Sequence, residues 1–150
     1  MSKKRWGEPT WYFFHTFIEK MTDDFFVKKN KECIEIITSI CHNLPCPYCK
    51  DHASAYIKKH KIENIRTREQ MKLFLFNFHN DVNKRTKKPV AGIEILEQYK
   101  KIKFINAYKF FKQEFFKNYY NMKHFSGWIR DSLSKSIYIF IVNNIEHFRQ

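Results

Sequence analysis

Three glycines and four prolines are all the backbone punctuation that 150 residues carry, and this scarcity limits the fold more than any other feature. Sandwiches and barrels turn the chain on Gly, Pro and Asn clusters roughly every 8–12 residues, and phosphate-cradling loops need several glycines close together. Both classes are disfavoured. Hydrophobic residues make up 43% and charged residues 29%, so the chain is no disordered tail. Its length suits one domain with a real core and is too short for two full ones.

Apolar patterns of helical period fill the space between the breaks. Glu8-Pro9-Thr10 marks the start of a first helix, carried by Trp11-Tyr12-Phe13-Phe14-His15-Thr16-Phe17-Ile18 to about Met21. A second helix covers about Phe25 to His42, with Cys33, Ile36, Ile37, Ile40 and Cys41 on one stripe, and Asn43-Leu44-Pro45 breaks it. A third opens at Cys46-Pro47, where proline suits the first helical position, and runs to about His60. Thr67 followed by Gln70 predicts a capping box for a fourth helix that continues to about Lys87, before Pro89. Gly92 to Lys100 reads as a short fifth helix.

Beyond Lys100 the character changes: residues 101–150 hold 13 of the 27 aromatic residues, Phe110-Phe111, Phe115-Phe116 and Tyr119-Tyr120 among them. A helix is expected to Lys123 and a turn at Gly127, while Ile137 to Val142 has strand-like composition that periodicity alone leaves open between strand and helix. With no repeat and no flexible linker, residues 1–100 are expected to form the functional domain and 101–150 an aromatic, basic extension packed on it.

The net charge of +13 and pI near 9.6 permit contact with nucleic acid or anionic surfaces without showing it. The scatter of lysines among Ile, Asn, Phe and Tyr is also what an AT-rich coding sequence gives. The N-terminal Met-Ser-Lys-Lys-Arg-Trp-Gly has no apolar segment behind it, and the longest apolar run is far below the ~20 residues of a membrane helix. A soluble protein made in the cytosol, cytoplasmic in location, is expected.

Four cysteines fall in one window: Cys33, Cys41, Cys46 and Cys49. Among helical patterns they point to redox chemistry or metal binding rather than a secreted disulfide scaffold. Cys46-Pro47-Tyr48-Cys49 sits at a predicted helix start, where aligned N–H groups stabilise a thiolate, and CxxC thiols fall from about 8.5 to ~3.5–7.5 in pKa. Thiols three residues apart on one turn also close a disulfide suited to exchange. The same tetrapeptide occurs in glutaredoxins, but the strand before the motif and the later Thr-Val-Pro and Gly-Gly of a thioredoxin-like fold are absent. Zinc is a second reading, with Cys41, Cys46, Cys49 and His52 as ligands. Against it, Cys41 shares the apolar stripe of Ile37 and Ile40, where a buried thiol is the commoner role. Cys33 and Cys41, eight apart on one helix, stand ~12 Å apart along its axis and cannot bridge.

A second constellation lies on the fourth helix, from His79 to Pro89. His79, Asn83 and Lys87 share one face and Asn80, Lys84 and Lys87 its neighbour. Alone it reads equally as a solvated helix end. It also holds what a heteroaromatic ligand with a pyrophosphate needs: His and Asn for ring and ribose edges, lysines for phosphate.

Taken in order, Trp6-Gly7, Thr10-Trp11 with His15, Cys46-x-x-Cys49 with His52, and His79-Asn80-x-Val82-Asn83-Lys84 resemble the Erv/ALR family of FAD-linked sulfhydryl oxidases. The resemblance covers about residues 5 to 100. Compact members occur in large cytoplasmic DNA viruses of the poxvirus, asfarvirus and mimivirus groups, and Leu44-Pro45-Cys46 with His52-Ala53 is most similar to those. The family's Leu-Gly-Lys-Pro ending is matched here by Lys87-Lys88-Pro89, with no Gly before the last lysine, so both lysines remain alternatives for that position.

The resemblance implies an all-α, four-helix bundle with a short fifth helix, holding FAD at the mouth of the third helix, usually as a homodimer. It implies that Cys49 is the flavin-proximal thiol and Cys46 the interchange thiol that meets substrate. Trp6, Gly7, Thr10, Trp11, His15, Cys49, His52, His79, Asn80, Val82, Asn83, Lys84, Lys87 and Lys88 are the implied FAD contacts. No metal is expected. The implied activity is oxidation of client dithiols, or of a small CxxC relay protein, with O2 as electron acceptor and H2O2 as product. The alternative is a non-enzymatic basic helical module, stapled by zinc or disulfide, that binds nucleic acid.

Overall fold

The computed structural model describes residues 4–117 and 127–150, and every one of its regular elements is helical: α1 (Lys4–Lys20), α2 (Asp23–Cys41), α3 (Pro47–Lys59), α4 (Arg68–Arg85), α5 (Phe104–Lys117) and α6 (Gly127–Asn143). Short 3₁₀ segments span Ile62–Asn64, Ile93–Lys101 and Ile145–His147. Among the described residues the one β-type contact is an isolated antiparallel bridge between Met21 and Phe148.

Helix α1 is the axis of the molecule. Apolar side chains stand on all its sides, and every residue from Phe13 to Met21 is buried, the pattern of a helix enclosed rather than laid on a surface. On one side Phe13 stacks on Phe111 of α5 at 4.6 Å between centroids and 15° between planes. On the other, Trp11 meets Phe78 of α4 edge-on at 5.2 Å. Helices α1 to α4 form the expected four-helix bundle, and α5 covers the side of α1 that the bundle leaves open.

Several boundaries differ from expectation for local reasons. Helix α1 starts before Pro9, which lies inside it; the proline removes one amide donor, and the Thr10 hydroxyl donates to the Trp6 carbonyl close by. Helix α2 starts earlier because Thr22 caps it, its hydroxyl accepting the Phe25 N–H at 3.2 Å. Lys29 leaves helical geometry inside α2, next to Asn30, whose side-chain amide donates to the Ile65 carbonyl at 2.9 Å. The capping box of α4 forms as predicted, with Thr67 and Gln70 exchanging side chain and backbone bonds. The fifth short helix is 3₁₀. Ile137 to Val142 belongs to α6, where only Leu133, Ile137 and Ile141 are buried, and Gly127 is the first residue of that helix. The expected helix end at Lys123 and the Tyr119-Tyr120 pair lie outside the described residues.

Polar contacts fix α1 against its neighbours. The buried Arg68 guanidinium donates to the Glu19 carbonyl and carboxylate at 3.0 and 2.9 Å and to Asp23 at 2.6 Å. Lys20 Nζ donates to the carbonyls of Lys100 and Gln150, and the Lys20 carbonyl accepts the Arg149 N–H. Phe148 stacks on Phe104 at 4.3 Å. The end of the chain is thereby tied to the end of α1.

Candidate functional site

Cys46 is the N-cap of α3, extended in backbone, with Pro47 following at the first helical position. Its sulfur accepts the Cys49 N–H at 3.2 Å. The four cysteine thiols are unbridged; Cys46 and Cys49 are half-buried, Cys33 and Cys41 fully buried. Burial pushes both inner thiols up to about 12, which keeps them protonated and inert. Cys33 rests its S–H on the Met21 sulfur at 3.6 Å.

Behind Cys49 opens a cavity of about 860 Å³ between the first half of α1, the end of α2, the first turns of α3 and the second half of α4. Its apolar wall comes from Phe14, Cys41, Leu44, Ala53, Phe78 and Val82, and its polar groups from His52, His79, Asn83, Gln98, Arg85 and Lys88. Of the residues singled out in the sequence, Trp6, Gly7, Thr10, Trp11, Cys49, His52, His79, Val82, Asn83 and Lys88 line it. Trp11 lies parallel to His79 at 4.1 Å and 4°, a flat stack from α1 and α4.

The remaining candidates sit elsewhere, each for a visible reason. His15 stands behind His79, its Nε2 sharing a hydrogen bond with His79 Nδ1 at 3.0 Å, and stacks on Tyr99 at 4.5 Å. Burial, and then His79, lowers His15 to about 3; burial, and then Lys88, lowers His79 to about 4. Both rings are therefore neutral at physiological pH. Asn80 turns to the loop after α4, donating to the Ala91 carbonyl at 2.9 Å and accepting its N–H at 3.0 Å. Its carbonyl oxygen also accepts from the Asn83 side chain at 3.3 Å.

Lys84 is exposed on α4, off the wall, and Lys87 is absent because α4 stops at Arg85. The Lys88 N–H bonds the Asn83 carbonyl at 2.8 Å and the Lys87 N–H the Lys84 carbonyl at 3.3 Å, with Lys87 left-handed at φ 59°. This is a Schellman ending in which Lys87 takes the position that favours glycine. The chain turns there, and Lys88 rather than Lys87 reaches the cavity.

Sequence reasoning missed Tyr48, Arg85, Gln98 and Tyr99, which also line it. Arg85 had a signal: Phe78, Val82 and Arg85 recur at helical spacing on one side of α4. Tyr99 and Gln98 come from the 3₁₀ segment and carry none.

The volume lies within the range of sites that enclose small molecules and cofactors. Flat apolar walls, a Trp–His stack, neutral His and Asn donors and acceptors, two cations and a thiol on one wall fit a dinucleotide with a redox-active ring. The zinc reading has no such support: among the described residues no group of three or more His, Cys, Asp or Glu gathers as a metal ion needs. His52 pairs instead with Asp81 at 3.1 Å.

Several viral proteins are similar to this chain. A protein of Invertebrate iridescent virus 3 is 34% identical over 99 residues, 65% of this chain and 67% of its own. One from the Malawi tick isolate of African swine fever virus is 27% identical over 110 residues, 73% of this chain and 92% of its own. One from the Kenya pig isolate of that virus is 31% identical over 87 residues, 58% and 72%. The words FAD-linked sulfhydryl oxidase stand in the names of all three. No solved structure matches the chain. The family model described as Erv1 / Alr matches residues 8–104, which include both cysteines of the CxxC, the cavity wall from Glu8 to Tyr99 and the whole of α4. By that match, the chain belongs to the Erv1/Alr family.

Proposed function

We propose that this chain is an FAD-linked thiol oxidase that forms disulfides in client proteins. One observation carries the reading: the two cysteines of a helix-mouth CxxC divide between two environments, Cys49 on the cavity wall and Cys46 at the cap of α3. In the oxidised pair, a client thiolate attacks the Cys46 sulfur, forming a mixed disulfide and expelling the Cys49 thiolate. The client's second thiolate then attacks its own sulfur in that bond. The client leaves as a disulfide, and its two electrons remain on the Cys46/Cys49 dithiol.

FAD, when bound, supplies the two-electron acceptor for that dithiol and the route to O2, with H2O2 as product. Phe14, Leu44, Ala53, Phe78 and Val82 would shield its ring from water, Cys49 standing beside them. His52, His79 and Asn83 would meet its polar edges. Lys88 would offset phosphate charge, and Trp11, stacked on His79, would hold that imidazole flat. Asp81 accepts from His52 and so orients its ring, while Asn80 holds the loop that brings Lys88 into place.

Among the described residues no helix is long and apolar enough to cross a membrane. A cytoplasmic site of action, a homodimer and delivery of electrons from a small CxxC relay protein complete the proposal. Apolar side chains left exposed on α6, Trp128 and Ile139 among them, support a second copy packing there. The nucleic-acid module has no observation in its favour.

The purified protein is expected to carry the visible flavin absorption and to consume O2 while oxidising dithiothreitol. Cys46→Ser and Cys49→Ser should each lower that turnover by at least about a hundredfold, since each removes half of the exchanging pair. Colourless protein, or normal turnover in either variant, overturns the reading. Sedimentation of the holoprotein as a monomer overturns the dimer.

A further inference from the structure

The mouth of α3 presents more than a sulfur. Tyr48, between the two cysteines, is 66% exposed, yet it is held in place. Arg85 donates a hydrogen bond to its hydroxyl, and the guanidinium carbon stands 5.0 Å from the ring centroid. An exposed aromatic side chain that is already ordered costs a partner little to engage, and Tyr and Arg are the residues on which contact energy concentrates.

The charged residues that follow Asp81 in the chain have one sign up to Glu94. Lys84, Arg85, Lys87 and Lys88 are all exposed, and no acidic residue occurs between Asp81 and Glu94. The Schellman turn at Lys87 brings Lys88 to the cavity wall, close enough to depress the His79 imidazole. Of the nearby acids, Asp81 is engaged by His52, and Asp51 and Glu8 are exposed. Beside Arg85 in the chain, the exposed Lys84 and Lys87 add positive charge.

We propose that Tyr48 and Arg85 form the client-docking surface, and that it selects dithiol segments bearing Asp or Glu beside their cysteines. The proposal rests on the thiol oxidase reading. A client carboxylate fits the outer N–H groups of Arg85, whose planar fork accepts it in two bonds. The client backbone lies over the Tyr48 ring, which brings its leading thiolate to Cys46 for the exchange already described. The field of a +13 chain adds to the capture of anionic segments.

The test uses the flavin-bound holoprotein and two peptides that share a Cys-x-x-Cys core, one flanked by Asp and Glu, the other by Lys. Dithiothreitol is the uncharged reference for each protein. The ratio of kcat/KM, acidic over basic, is expected to reach at least about tenfold at low salt. It should fall toward one at about 1 M salt, where the Debye length is about 3 Å. Arg85→Glu should lower the low-salt ratio by about tenfold, and Arg85→Gln, which keeps a donor for Tyr48, by several-fold.

Equal rates on the two peptides in the wild type, or one unchanged ratio across the Arg85 variants, overturn the proposal. So does loss of flavin absorbance in Arg85→Gln with the ratio intact in the remaining holoprotein, which assigns the guanidinium to the cofactor alone. Should Arg85→Glu fail to fold, Arg85→Gln and the wild-type salt series decide. Holoprotein that leaves dithiothreitol untouched overturns the oxidase reading itself.

Discussion

The four cysteines divide by burial into two chemistries. Cys33 and Cys41, raised to about 12, hold roughly one part in ten thousand as thiolate at pH 8. Iodoacetamide at that pH should leave both unmodified in native protein while alkylating reduced Cys46, as peptide mass mapping would read. Rapid native labelling of Cys41 would mean that the cavity wall opens. The histidine pair carries its own pH signature. His15 at about 3 and His79 at about 4 lie below the ordinary 6.5, so between those values the unfolded chain binds more protons than the native one. The stability these rings contribute is complete above pH 6.5 and declines as pH falls, by up to about 1.4 kcal/mol per pH unit for each ring. Urea midpoints from pH 7 to pH 4.5 should show this slope, and His15→Gln should flatten it.

At the scale of elements, the end of α4 decides which cation faces the cavity. A non-glycine residue in the left-handed region costs about 1 kcal/mol, and Lys87 pays this at φ 59°. Lys87→Gly is therefore expected to stabilise the protein by about 0.5–1 kcal/mol in denaturant titration, with flavin content unchanged. A destabilised Lys87→Gly would mean that the lysine side chain makes contacts worth more than the strain. The start of the same helix was legible in the sequence, because a capping box is a pattern of two residues three apart. Its end was not: a Schellman turn with lysine in the glycine position has no composition cue, and helical extrapolation carried α4 two residues too far, to Lys87.

For the whole molecule, α5 is the deciding element. Phe104, Phe111 and Phe115 are fully buried, Phe111 against Phe13 of the central helix. Phe111→Ala should cost about 3–5 kcal/mol, and a chain ending at Lys100 should be insoluble or unfolded. A truncated protein that stays folded, flavin-bound and active would show that α1 to α4 suffice and that α5 merely covers them. The family match ends at residue 104, so this covering lies almost wholly outside the shared part of the chain, although α1 is aromatic on the side it covers.

Local patterns were enough to show that the chain is helical, that a CxxC opens a helix and that His79 and Asn83 share a face, because each depends on residues within one or two turns. Tertiary structure alone decided that His15 stands behind His79, that Asn80 holds a loop, and that Tyr48 meets Arg85 37 positions away. The same holds for Ile137 to Val142, whose β-branched composition gives way to a helix once Leu133, Ile137 and Ile141 pack on one side. For His15 and Tyr48 the deciding partner lies 64 and 37 positions along the chain, and its place follows from how the helices pack rather than from any spacing a sequence displays.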